Sequence, residues 1–236
     1  MSTCVQETRE QCLRRLAHQA DADLASASAQ DILRWAADTF GDRFLITSSM
    51  GDSVLAHLAS SVVPGVQVAF LDTGYHFPQT LQTRDRVFDE LPVRGITVHP
   101  ELTVLEQNEA FGARLYERDP DQCCEMRKVK PLNRVLTGYD AWGSGVRRDE
   151  AASRANTPVV AYNERRGIVK ISPLATWTDD DVQAYAEAND VIVNPLVDAG
   201  FASIGCAPCT QRVQPGGDAR SGRWAGSEKT ECGLHL

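Results

Sequence analysis

Apolar positions in the first forty residues recur at a loosely helical spacing. Leu13, Leu16 and Leu24 set the pattern, and Ala29-Gln-Asp-Ile-Leu-Arg-Trp-Ala-Ala continues it to Phe40-Gly41, where the glycine is a stop signal. The spacing predicts one or two surface helices. Beyond them the period changes. Arg43–Thr47 reads as a short buried strand, the polar run Ser48-Ser-Met-Gly-Asp-Ser53 as a loop, and the stretch from Val54 as a helix. Val66–Leu71 reads as a second strand, the region from about Phe77 to Leu91 as a helix, and Gly95–Val98 as a third strand. Residues 101 to 120 are mixed and charged and predict no clear element. A helix follows from Cys123 past Pro131-Leu132, then a strand over Tyr139–Val146. Two strands, from Pro158 and from Ile168, flank a tight turn at 163–167. Thr178 caps a helix that opens on Asp179-Asp-Asp181 and runs to about Asn189. This alternation predicts an α/β fold, doubly wound on a mostly parallel sheet. The expected organisation is an N-terminal helical segment over 1–40, an α/β domain over 41–205, and a flexible C-terminal segment over 206–236.

Composition narrows the function classes. The chain has 236 residues and a net charge of −8. No overall basic field favours nucleic acid, and no apolar run approaches the ~20 residues of a membrane span. Seven cysteines, an odd number in pairs ill suited to bridging, fit a reducing compartment. The expected location is the cytoplasm. A homo-oligomer is neither required nor excluded.

The candidate chemistry lies at strand ends and in the cysteines. A strand, a small polar loop and a helix can hold an anion, because free N–H groups and the helix dipole face it. Ser48–Ser53 fits that reading and also a plain turn; it lacks the Gly-Lys-Ser/Thr ending of a Walker A loop. Leu71-Asp-Thr-Gly-Tyr-His76 sits at a strand's C-terminal end, the edge where open parallel sheets bind ligands. Arg147, Arg148 and Arg154 follow another strand and offer planar donor forks, or are ordinary surface arginines. Cys123-Cys124 cannot easily bridge each other, with Cα atoms only ~3.8 Å apart. Together with Cys206-Ala-Pro-Cys209 they suggest four ligands, leaving Cys232 for chemistry. An iron–sulfur cluster, a zinc site and buried structural thiols all remain open on ligand type. Cys4 and Cys12 match no spacing rule.

From Phe44 to the C-terminus the motifs resemble, in order, one family: the assimilatory sulfonucleotide reductases, in their thioredoxin-dependent bacterial form that acts on adenylyl sulfate (APS). The resemblance runs through Ser48-Ser-Met-Gly-Asp-Ser, Leu71-Asp-Thr-Gly-Tyr-His-Phe77, Cys123-Cys-x-x-Arg-Lys-Val, Arg147-Arg148, Ile204-Gly-Cys-Ala-Pro-Cys-Thr210, Arg220-Ser-Gly-Arg-Trp224 and Glu231-Cys-Gly-Leu-His235. It implies an adenine nucleotide alpha-hydrolase-like fold and a 4Fe-4S cluster on Cys123, Cys124, Cys206 and Cys209. It implies Cys232 as the nucleophile, leaving an S-sulfonated cysteine that thioredoxin, or a glutaredoxin-like dithiol donor, resolves to sulfite. The substrate contacts it implies are Ser48, Ser49, Asp52, Ser53, Leu71, Asp72, Thr73, Gly74, Lys128, Arg147, Arg148, Arg154, Arg220, Arg223 and His235. The rivals are a reductase of the 3′-phosphorylated nucleotide (PAPS) on the same fold, an ATP-using sulfur transferase with a cluster, and an iron–sulfur or zinc redox sensor.

Overall fold

A computed structural model of the chain describes residues 7–214, 218–225 and 229–235. Cys4 lies outside them. In chain order the elements are α1 (Arg9–Asp23), α2 (Ala29–Phe40), β1 (Phe44–Thr47), α3 (Val54–Val62), β2 (Val66–Leu71), α4 (Pro78–Glu90), β3 (Val93–Val98), α5 (Val104–Phe111), α6 (Leu115–Arg118), α7 (Pro120–Cys124), α8 (Lys130–Leu136), β4 (Ala141–Ser144), β5 (Val160–Asn163), β6 (Ile168–Ile171) and α9 (Asp179–Ala188). One π-helical turn, Glu125–Val129, joins α7 to α8. The strands form one six-stranded sheet in the order β3-β2-β1-β4-β6-β5. All neighbours are parallel except the β5–β6 hairpin. The sheet is mixed and mostly parallel, as the alternation predicts.

Side-chain alternation along each strand splits the core between the two faces. Phe44 and Ile46 of β1, with Val66, Val68 and Phe70 of β2, join one apolar cluster with residues of α1, α2 and α3. Leu45 and Ala69, one position out of phase, join a second cluster with Leu132 and Leu136 of α8 and Trp142 of β4. Strands buried on both faces read as continuous apolar runs, which is why β1 and β2 stand out in the sequence. Full burial of a side chain such as Leu33 or Leu45, each 0% exposed, is worth about 2–3 kcal/mol.

The first two helices are more than a surface layer. Leu13, Ala17 and Ala20 of α1 and Ile32, Leu33 and Ala36 of α2 are buried in the main cluster. A reciprocal Thr8–Gln11 capping box starts α1, and Gly41, at φ 52°, ends α2. Asp21 also accepts a hydrogen bond from the Val160 amide at 3.1 Å, tying α1 to the β5 edge. Sequence spacing reports only that a helix has an apolar stripe, and here the stripe closes one face of the sheet. The charged stretch that predicted no element holds two short helices, α5 and α6, the former with a Thr103–Glu106 capping box.

Strand order reverses between β1 and β4: β2 and β3 lie on one side, β6 and β5 on the other. A crevice opens at the carboxyl ends of such a pair, where open α/β sheets take their ligands. No helix of the described residues is long and apolar enough to cross a membrane.

Candidate functional site

Three segments meet at the carboxyl edge of β1, β2 and β4. After β1 the chain turns through Met50 and Ser53, both left-handed at φ 58° and 52°, a conformation that costs a non-glycine residue on the order of 1 kcal/mol. The turn is held by Asn194, which is fully buried. Asn194 Nδ2 donates to the Met50 carbonyl at 3.0 Å, and the Asn194 amide donates to the Gly51 carbonyl at 2.8 Å. Within the loop Ser53 is buried, Ser48 half-buried and Ser49 exposed. Asp52 accepts the Val54 amide at 2.9 Å, so the loop's own carboxylate takes one of the free donors at the start of α3.

After β2, Asp72 accepts the Gly74 amide at 2.9 Å and faces Arg84 at 3.5 Å. The Leu71 carbonyl accepts from His76 Nε2 at 2.9 Å. Gly74 has φ +73°, and a Cβ there would meet Val104 at 3.0 Å, so both its dihedral and its surroundings call for glycine. After β4, Arg147 pairs with Asp179 and lies 3.7 Å from Asp52 and 3.8 Å from Glu150. Arg148 is exposed and donates to the Thr157 carbonyl at 2.8 Å, away from the other candidates.

The cysteines gather as well. Cys123, Cys124, Cys206 and Cys209 line one pocket with Tyr75, Tyr116, Arg127 and Lys128. Cys123 and Cys124 end α7, and the π turn that follows buries Arg127, Lys128 and Val129. Such turns recur at functional sites. Thr73 Oγ1 and Cys206 Sγ share a hydrogen bond at 3.3 Å, and the Ala207 amide donates to the Tyr75 carbonyl at 2.7 Å. Burial pushes the Cys123 thiol up to about 12, with the charges of Cys124, Cys206 and Cys209 adding to it. Burial and then Cys206 push Cys209 to about 11. Thiols that raise one another suit a shared positive centre, which binds them as thiolates and relieves their repulsion. Among the described residues, no three His, Cys, Asp or Glu side chains close tightly enough to hold a single metal ion.

Lys128 links this pocket to the C-terminal tail. Its side chain is buried, which works against its charge, but its interaction with the neighbouring Cys206, Cys232 and Cys124 outweighs burial and leaves its pKa raised. The ammonium lies 6.0 Å over the Trp224 ring, and the Arg223 guanidinium lies 4.6 Å over the same ring. Arg223 Nη1 donates to Ser203 Oγ at 3.3 Å. Cys232 itself is a free, half-buried thiol on the wall of a polar cleft with Glu125, Val129, Arg165 and Gly233.

The described tail residues are docked. Glu231 pairs with Arg154 and Arg220, Leu234 packs on the second core cluster, and His235 stacks on Trp142 with ring planes 6° apart. Arg154, Arg220 and His235 thus meet protein groups here. Sequence reading quoted Trp224 only within a motif and gave no task to Asn194, Trp142 or Lys170, whose Nζ donates to the His235 carbonyl at 3.2 Å. The Arg220-Ser-Gly-Arg-Trp224 motif was a signal for Trp224; Lys170 sits in an ordinary strand and gave none.

Comparison with known proteins agrees with this geometry. Residues 43–212 match the model of the phosphoadenosine phosphosulfate reductase domain. A protein of Streptomyces coelicolor named adenosine 5′-phosphosulfate reductase is 58% identical over 99% of both chains. Its namesake in Mycolicibacterium smegmatis is 52% identical, also over 99% of both. Among solved structures, phosphoadenylyl-sulfate (PAPS) reductase from Candida auris, in a phosphate complex, matches with a TM-score of 0.73 at 30% identity, covering 84% of this chain and 96% of that one. Candida glabrata FMN adenylyltransferase, at 12% identity and a TM-score of 0.55, shares the fold alone. The chain belongs to the phosphoadenosine phosphosulfate reductase family.

Proposed function

We propose that the protein is a cytoplasmic enzyme of sulfate assimilation that reduces APS to sulfite and AMP. The observation that carries this is Lys128, a buried cation facing both the four-cysteine pocket and Cys232. A thiolate is the reactive form of cysteine, and a fixed cation favours it while shielding it from an anionic substrate. The nucleotide would lie along the carboxyl edge, against Ser48–Ser53 and Leu71–Gly74, with Arg147 beside it and its phosphosulfate toward Lys128 and Arg223.

In the first step the Cys232 thiolate attacks the sulfuryl sulfur. A sulfur–sulfur bond forms, the sulfur–oxygen bond to AMP breaks, and AMP leaves with the electron pair. A dithiol protein, thioredoxin or one like it, then attacks Cys232 Sγ. Sulfite leaves, and the second thiol closes the disulfide and frees Cys232. The dithiol supplies both electrons.

Cys123, Cys124, Cys206 and Cys209 suit a 4Fe-4S cluster: all four donors are thiols, and they line one pocket. Bound there, it would tie the two cysteine segments together and add to the field at Lys128. The Lys128 cation and the Arg223 fork are the groups that would steady the transferring sulfonate, each worth about 3 kcal/mol if well aimed.

Steady-state turnover of APS and of PAPS with a dithiol protein tests the reading. Sulfite from APS, a much smaller rate from PAPS and a loss of about 100-fold in Lys128→Ala are expected. Preference for PAPS, or an unchanged rate in Lys128→Ala, would overturn it.

A further inference from the structure

Every polar group of Asn194 is engaged, and its side chain joins two segments that border the crevice. Nδ2 donates to the Met50 carbonyl and to Thr80 Oγ1, each at 3.0 Å. The Asn194 amide donates to the Gly51 carbonyl at 2.8 Å, and the Asn194 carbonyl accepts the Val197 amide at 2.9 Å. Oδ1 accepts the Leu196 amide at 3.1 Å, which closes a turn over Pro195. These partners fix the orientation of the side-chain amide, since the Leu196 N–H requires an oxygen and the Met50 carbonyl a nitrogen. Asn194 is fully buried, so all of these contacts are made away from water.

The loop it holds is one that needs holding. Met50 and Ser53 are both left-handed, a conformation that persists where the surrounding structure enforces it. Inside the loop the Ser48 hydroxyl accepts the Met50 amide at 3.3 Å, a longer contact than those from Asn194. Thr80, the other acceptor, is buried in the first turn of α4, just beyond the Leu71–His76 turn. One side chain thereby spans the two segments along which the nucleotide would lie. The chain beyond Asn194 strengthens the link. Phe201 meets Phe77 edge-on with ring centroids 5.4 Å apart, and the Ala207 amide donates to the Tyr75 carbonyl at 2.7 Å. The hydrogen bonds of Asn194 go to none of Lys128, Arg223 and Cys232, the groups assigned to the sulfonate.

We propose that Asn194 is a positioning residue for the nucleotide: its side-chain amide pins the Ser48–Ser53 loop to the start of α4, so both walls of the crevice are set before the ligand arrives. A loop already in its bound shape loses less freedom on binding, and that difference appears as affinity. A wall that holds the nucleoside part acts alike on ground state and transition state. Loosening it therefore raises KM and spares kcat. The inference rests on the reading of Ser48–Ser53 and Leu71–Gly74 as the nucleotide's walls.

The test combines calorimetric binding of AMP with turnover of APS, on anaerobically purified protein of known iron content. In Asn194→Ser the hydroxyl can still accept the Leu196 amide, but it is too short to reach Met50. Its Kd for AMP and KM for APS should both rise about tenfold, with kcat within about twofold of the parent. Iron content and the rate of Cys232 alkylation by iodoacetamide should not change. Thr80→Val keeps Asn194 and removes one of its acceptors; the same split at about threefold is expected, and it carries the test if Asn194→Ser does not fold. Leu33→Val, in the core of α2, should lower the unfolding temperature and leave both constants alone. A merely structural Asn194 would make Asn194→Ser behave like Leu33→Val. Unchanged Kd and KM in the Asn194 and Thr80 variants, or a loss confined to kcat, would overturn the proposal. Parent protein that binds no AMP would instead defeat the reading of the two segments as nucleotide walls.

Discussion

Arg127 Nη1 donates to the carbonyl of Thr73 at 2.9 Å, while the Thr73 hydroxyl meets Cys206 Sγ at 3.3 Å. One buried residue thus joins the helix of Cys123 and Cys124 to the segment of Cys206 and Cys209. Arg127 also donates to Gln107 Oε1 at 2.7 Å and to the Leu102 carbonyl at 3.3 Å, and lies over the Tyr75 ring. Arg127→Met would leave these buried acceptors without their donor. The expected cost is about 3 kcal/mol of stability, with the four-cysteine pocket loosened. Denaturant unfolding and iron content of anaerobically purified protein check it; full stability and full iron would show that the staple is dispensable.

Gly205 gives a more selective probe. A Cβ at this position would intrude on the Arg223 guanidinium, the far end of a flexible side chain that can move aside. Gly205→Ala should therefore keep stability within about 1 kcal/mol and keep its iron, yet displace Arg223 from Ser203 and the Trp224 ring. Turnover of APS should fall about tenfold. Thermal unfolding, iron analysis and kinetics on one preparation separate these outcomes.

His235 makes tail docking depend on pH. Burial holds its pKa well below the ordinary imidazole range, and the charges of Lys170, Arg154, Arg166 and Arg220 add to this. In an undocked tail it would titrate near 6.5. The docked form therefore binds fewer protons, so docking is at full strength above about pH 6.5 and weakens as pH falls through that value. Protease cleavage of the tail should be faster at pH 5.5 than at 7.5, and His235→Asn should flatten the difference. Equal cleavage at both values would contradict the account.

Much of this was legible in the sequence because it depends on local pattern. The continuous apolar runs of β1 and β2 are the signature of strands buried on both faces, and Thr178 with three acidic residues marks the start of α9. The motif cysteines, the loop after β1 and the turn after β2 were found the same way. What stayed hidden depends on long-range contacts. Asn194 is an unremarkable Asn-Pro until the fold brings it under the Ser48–Ser53 loop. Nothing in Lys170 or Trp142 foretells that His235 docks on them. Glu231 was read as part of a motif, and only the fold brings it to Arg154 and Arg220.

The central claim, that Cys232 carries the transferred sulfonate, is tested most directly by intact-mass and peptide analysis after anaerobic incubation with APS and no dithiol. One turnover should add about 80 Da, a single SO₃ unit, to the peptide containing Cys232, and reduced thioredoxin should remove it with release of sulfite. An adduct on any other cysteine, or sulfite formed without an adduct, would contradict the account.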